Sequence, residues 1–347
     1  MTKTDFADGQ TRLAAFYDQL PNKKKIFYIF LSGGLTFLLL KSLSTIHKDK
    51  NIVIIGSLLA VDEINLITSE TAFPLFNFPY YLDDREIWTY LFQINQFHFG
   101  WIDVDCFVLN DTILDQLAAI DASTAINGIW RNKKKRFRHI TILNTYLLFL
   151  NINCINEIQS VFGISPRVYT NKPVDSITYT TAERLTEEHK AIVSKYAISI
   201  EEELDTLQLY QLAALYLGYK LTVLNDSSYE FITDTYSYYS PEIIHLGGSC
   251  SFSPVRLQHY KPQKNPGSKF NLLSSEKKKV SQLYYLIYFI LIRSSCIDRI
   301  YPSFFKSFML FYTKKTNNMD YDQKLYEMMM QTRISEKVFD FIVGKKI

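Results

Sequence analysis

The sequence predicts an α/β protein, a Rossmann-like, mixed but mostly parallel sheet flanked by helices, with a helical C-terminal extension. Three observations carry this expectation. Unbroken apolar runs of strand length occur at 25–31 (KIFYIFL) and 51–59 (NIVIIGSLL). Segments with helical spacing alternate with them at 35–47 and 60–69. A further strand-like run, 99–109 (FGWIDVDCFVL), mixes apolar and acidic residues. Strands buried on both faces read as continuous apolar runs, and strand–helix alternation is the pattern of a parallel sheet covered by its own crossover helices.

Each element follows from local chemistry. The first 24 residues read as a helical lead-in, polar and without the charged-then-apolar order of a signal peptide. Lys23, Lys24 and Lys25 precede the apolar run 26–40, which Ser32-Gly33-Gly34 interrupts. That run falls short of the ~20 residues a membrane helix needs, so it reads as strand, glycine turn and helix. The helix 35–47 has an apolar face of Leu38, Leu39, Leu40, Leu43 and Ile46. Asp62 and Glu63 suit the start of the helix 60–69, and a loop with Pro74 and Pro79 follows. Asp83 and Asp84 open a helix over 85–96.

Farther on, a basic stretch at 130–139 precedes an apolar one at 140–155. Leu204, Leu207, Leu212, Leu215 and Tyr216 recur at helical spacing and predict a helix over 201–218, with Gly218 as its stop. A short strand is expected at 220–224, and the apolar segment 243–248 ends at Gly247-Gly248. The Pro-, Gly- and Lys-rich stretch 261–269 is the linker. It divides a catalytic unit, 1–262, from a helical extension, 263–347.

Composition narrows the function. The 347 residues are 47% hydrophobic, enough for a sizeable core, and the formal charge is only +3. A nucleic-acid-binding domain normally shows a stronger, clustered basic excess, so no nucleic acid partner is expected. Cys106, Cys154, Cys250 and Cys296 stand singly with no CxxC pair. That pattern argues against a zinc site or a disulfide framework and favours a reducing, cytoplasmic setting.

The chemistry concentrates in Asp103-Val104-Asp105. Two carboxylates one residue apart at the end of an apolar strand are costly to bury unpaired. A divalent cation bound to a diphosphate offsets that cost, and hard oxygen ligands favour Mg2+ or Mn2+. The alternative is a solvent-facing strand with alternating Asp residues.

This segment resembles the DxD motif of GT-A fold glycosyltransferases. Two later parts of the chain resemble that superfamily in the same order. Asp205-Thr206-Leu207, on a helix ending Leu217-Gly218-Tyr219-Lys220, is similar to the acidic helix whose carboxylate faces the acceptor. Ile244-His245-Leu246-Gly247-Gly248 is similar to the late His-x-Gly element that supplies another metal ligand. The resemblance spans about 25–252. It implies transfer of a hexosyl group from a nucleotide-sugar donor, UDP-linked, to a hydroxyl or side chain of a glycan, lipid or protein acceptor.

The resemblance also assigns roles. Asp105 holds the Mn2+ or Mg2+, while Asp103 contacts the ion through water or hydrogen-bonds the ribose or the donor sugar. His245 is a third metal ligand, Ser32, Gly33 and Gly34 approach the nucleotide, and Asp205 is the base. Each has a plainer alternative: a structural histidine, a tight turn and a helix cap. The run from Lys133 to Arg138 is a solvated loop or a contact for an anionic group. Peripheral membrane contact would come through the C-terminal helices. A nucleotidyltransferase and an inactive GT-A-fold binding protein are the competing readings. The first usually carries a Gly-rich, basic loop after its first strand, and Ser32-Gly33-Gly34-Leu35 contains no Lys or Arg.

Overall fold

The computed structural model describes residues 3–130, 140–171, 182–201, 203–224, 230–231, 237–240 and 242–246. Helix α1 (Lys3–Gln19) leads to β1 (Ile26–Ser32), α2 (Thr36–Leu43), β2 (Ile52–Ser57), α3 (Val61–Glu70), β3 (Leu75–Phe78), α4 (Asp84–Ile94) and β4 (Phe99–Asp103). Then come β5 (Cys106–Val108), α5 (Thr112–Ala118), β6 (Thr124–Trp130), β7 (Leu143–Leu150), α6 (Ile152–Phe162), β8 (Tyr169–Thr170) and β9 (Glu183–Arg184). The described chain ends with α7 (Glu187–Lys195), α8 (Gln208–Tyr216), β10 (Lys220–Val223), β11 (Glu230–Phe231), β12 (Ser237–Tyr239) and β13 (Ile243–Leu246).

A seven-stranded sheet runs in the order β10-β6-β7-β4-β1-β2-β3. β1 pairs in parallel with β2 and β4, β2 with β3, and β6 with β10; β7 is antiparallel to both its neighbours. Every residue of β1 and β2 is buried, as expected of interior strands covered on both faces. The fold class read from the sequence is therefore the one observed: a mixed, mostly parallel sheet flanked by helices.

Large aromatic side chains fill the layer between β4, β1 and α4. Trp88 packs on Trp101 at 4.5 Å between centroids, and Phe99 meets Tyr28 and Phe92 edge to face. Gly100 is what allows the opposite face to close. A Cβ there would lie 2.2 Å from the Phe27 ring and 2.9 Å from that of Phe149.

α4 starts where its sequence says. Asp83 accepts from the Arg85 N–H while Glu86 accepts from the Asp83 N–H, a reciprocal cap.

Two local expectations change. The run 99–109 is not one strand but two: β4 stays in the main sheet, and β5 pairs antiparallel with β13 in a separate four-stranded sheet, β11-β12-β13-β5. The turn between them carries Asp105. The helix expected over 201–218 begins only at Gln208. Leu204 is held in a backbone pair with Tyr169, each N–H donating to the other's carbonyl at 2.8 Å, and Leu207 takes φ +62°. Both exclude helical continuation, so Asp205 precedes the helix rather than riding its first turn.

The loop with Pro74 and Pro79 contains β3, and the apolar stretch 140–155 divides into β7 and the start of α6. The basic residues 131–139, Gly247-Gly248, the linker and the C-terminal extension lie outside the described residues. Among the described residues, no helix is long and apolar enough to cross a membrane.

Candidate metal centre

The sheet order creates the site. From β1 the chain moves outward to β2 and β3, then returns to place β4 on the other side of β1. Ligands of open α/β sheets bind beyond the carboxyl ends of the strands at such a reversal. Asp103 is the last residue of β4 and sits opposite Phe30, two residues before the end of β1 at Ser32. The first aspartate is thus carried to the sheet edge by one of the most buried strands.

Asp105 follows in the turn, with its side chain only 2% exposed against 32% for Asp103. His245 arrives from far along the chain because β13 pairs with β5, putting His245 opposite Cys106. Its Nε2 lies 3.5 Å from Oδ1 of Asp105 and 3.9 Å from Oδ2 of Asp103. One ligand atom from each of the three residues fits within a 4.8 Å span. Two carboxylate oxygens and an imidazole nitrogen, drawn together where Asp105 is almost wholly removed from water, fit a small divalent cation.

Two aromatic residues support these groups. The Trp101 Nε1–H donates to Oδ1 of Asp103 at 2.5 Å. The Tyr146 ring, from β7, stacks on the His245 imidazole at 3.9 Å and 15°. Cys106 is fully buried and takes no part in the group; burial, and then the charges of Asp103 and Asp105, push its thiol well above the ordinary range. Cys106 and Cys154 are both free thiols.

The Ser32-Gly33-Gly34 turn lies at the same edge but is braced from within. The Gly33 N–H donates to the Ser57 carbonyl at 3.0 Å. Glu63, with no exposed surface, accepts from the Gly34 N–H at 2.8 Å, the Thr36 hydroxyl at 2.7 Å and the Ala60 N–H at 3.0 Å. Gly34 adopts φ +88°, a conformation that favours glycine. Glycine here serves the turn's geometry, and its backbone donors are committed to the protein.

Asp205 is not part of the Asp103–Asp105–His245 group. Its carboxylate is exposed and accepts from the Thr206 N–H at 2.9 Å. Topology nonetheless carries it toward the same edge. β6 and β4 are each antiparallel to β7, so β10 runs with β4. α8 packs on β10 and joins it through the tight Gly218 turn, which sets the start of α8 at the carboxyl end of the sheet.

Four structural features escaped the reading of the sequence. Glu63 was visible only as a helix-start charge. The Trp101–Asp103 bond was implicit in their i, i+2 placement on one strand face. Tyr146 carried no local signal. The buried Asp83–Arg85 pair, 2.9 Å between Arg85 Nε and Asp83 Oδ1, closes the loop before α4; its signal was the Asp-x-x-Glu pattern of the helix cap.

Residues 4–155 match the family model of the StrH glycosyltransferase N-terminal domain. The match runs from α1 into the first turn of α6, includes both aspartates, and stops before Asp205 and His245. No curated protein sequence matches the chain. Solved structures similar to it include a cytidylyltransferase from Leptospira borgpetersenii, at 12% identity over 40% of this chain and 64% of its own, TM-score 0.28. The glycosyltransferase GlyE of Streptococcus pneumoniae has 12% identity over 51% of this chain and 49% of its own, TM-score 0.29. The 4-diphosphocytidyl-2C-methyl-D-erythritol synthase of Anaerococcus prevotii has 10% identity over 60% and 88%, TM-score 0.31. The chain thus spans less than two thirds of the length of the first two. The similarity to that glycosyltransferase domain is confined to residues 4–155, less than half of the 347-residue chain.

Proposed function

We propose that the protein is a metal-dependent glycosyltransferase that moves a sugar from a nucleotide-sugar donor, UDP-linked, to an acceptor hydroxyl or side chain. The observation that carries this reading is the convergence of Asp103, Asp105 and His245 within 4.8 Å at the carboxyl edge of the sheet.

In this reading Asp105, Asp103 and His245 hold a Mn2+ or Mg2+ ion. When bound, the cation neutralises charge on the departing diphosphate. Asp105, shielded from water, fixes the position of the site. The Glu63-braced turn after β1 presents a rigid wall to the nucleotide. Asp205 accepts the proton of the acceptor hydroxyl, and its place near the carboxyl edge supports that role.

The test is a panel of nucleotide sugars incubated with the purified protein, with and without Mn2+. Metal-dependent release of nucleoside diphosphate, suppressed in Asp105→Ala, is the expected result. Absence of release from every donor, with pyrophosphate instead liberated from a nucleoside triphosphate and a sugar phosphate, would overturn the reading in favour of nucleotidyl transfer.

A further inference from the structure

We infer that Trp101 is a positioning residue for the metal centre, acting through Asp103. The inference rests on the metal-binding reading of Asp103, Asp105 and His245. An indole N–H can only donate, and a buried one needs an acceptor. Trp101 is 2% exposed, and its acceptor is one oxygen of Asp103, at 2.5 Å. The ring is itself immobilised, packed on Trp88 at 4.5 Å and against Phe30 at 6.4 Å between centroids. The donor is therefore a fixed point of the core rather than a mobile surface group.

The consequence falls on the aspartate. Asp103 is the more exposed of the two carboxylates, and nothing in its burial alone would hold one rotamer. The indole takes Oδ1, and Oδ2 is the oxygen on the His245 side. Trp101 thereby selects which oxygen faces the cation and directs Asp103 to offer one oxygen rather than both. A charge-assisted bond to a carboxylate is also stronger than a neutral one. The cost of ordering the ligand is met during folding instead of at binding.

Outer partners of this kind typically change metal affinity by about 10–100-fold when removed. The experiment is Mn2+ binding in the presence of UDP, followed by the loss of free-ion EPR signal. It compares wild type, Trp101→Phe, Asp103→Ala and the double variant. The expected result is Mn2+ binding about 10–100-fold weaker in Trp101→Phe, with no further loss when that change is added to Asp103→Ala, which leaves the indole no acceptor at position 103. Should the smaller ring fail to fold, 3-benzothienylalanine at position 101 keeps the bicycle and replaces N–H by sulfur; the same loss is expected. Wild-type affinity in either replacement overturns the inference, as does an equal loss with and without Asp103, which marks general disturbance of the core. If wild type binds no Mn2+ and Asp105→Ala changes nothing, the metal reading itself has failed.

Discussion

Asp105→Asn should separate folding from metal binding. The substitution keeps the shape of a side chain that is 2% exposed while removing its charge. Without metal, Asp105 is a carboxylate withdrawn from water beside a second carboxylate, an arrangement that costs stability. In EDTA the variant should therefore melt at the same temperature as wild type or higher. With Mn2+ at about 100 times the wild-type dissociation constant, wild type gains about 2.7 kcal/mol. For a domain of this size that is roughly 5–10 °C. The substitution replaces a charged ligand oxygen by an amide N–H2 that cannot bind a cation, so a loss of about 100-fold in affinity is expected, at the upper end for ligand support. At the same Mn2+ concentration the variant then gains only about 0.4 kcal/mol, or roughly 1–2 °C. Differential scanning fluorimetry with and without Mn2+ measures both numbers. An equal Mn2+ shift in variant and wild type would refute the metal centre. A large drop in the EDTA melting temperature would show that Asp105 holds the fold together instead.

Four further outcomes follow from the structure. Glu63→Gln keeps one acceptor but presents an amide N–H2 to a neighbouring N–H donor, and should cost roughly 1–3 kcal/mol in urea unfolding; wild-type stability would mean the turn after β1 is not braced by this side chain. Gly100→Ala forces a Cβ against the Phe27 and Phe149 rings and should cost roughly 1–3 kcal/mol by overpacking, again read by urea unfolding. The Glu86 carboxyl is raised above its ordinary value, chiefly by burial, with the Asp83 N–H opposing. Its protonated form is favoured by folding, so its contribution is present at low pH and lost as pH rises through the folded-state value. Glu86→Gln should therefore gain stability relative to wild type as pH rises above the ordinary carboxylate range, and a difference in unfolding free energy that stays constant with pH would count against it. Asp205→Asn should slow sugar transfer by about 10²- to 10⁴-fold while leaving the Mn2+ melting shift intact; unchanged transfer would reduce Asp205 to the cap of the Thr206 N–H.

The first half of the fold was legible because its signals are local. β1 and β2 announced themselves as unbroken apolar runs, and Asp83 with Asp84 marked the start of α4. The later elements were harder for physical reasons. β4 and β5 are contiguous in sequence and equally apolar, so periodicity could not reveal that they belong to different sheets. The start of α8 depends on a long-range backbone pair between Leu204 and Tyr169, a tertiary constraint that overrides the helical spacing of Leu204 and Leu207.

The candidate site follows the same division. Asp103 and Asp105 were readable as a pair because one strand end carries both. His245 could be placed beside them only through an ordered resemblance, since its proximity is made by β13 pairing with β5. The fold gives the two aspartates different mechanical status. Asp103 stands on a strand flanked on both sides by the main sheet, whereas Asp105 lies in the turn that hands the chain to the smaller one. His245 comes wholly from that smaller sheet. Metal binding would thus tie two sheets together across the β4–β5 turn, with Trp101 anchoring the ligand on one side and Tyr146 stacking on the ligand from the other. A centre built this way depends on packing as much as on its three ligands. This is why its support residues, Trp101 and Tyr146, are large aromatic side chains of the core rather than polar groups that a motif would reveal.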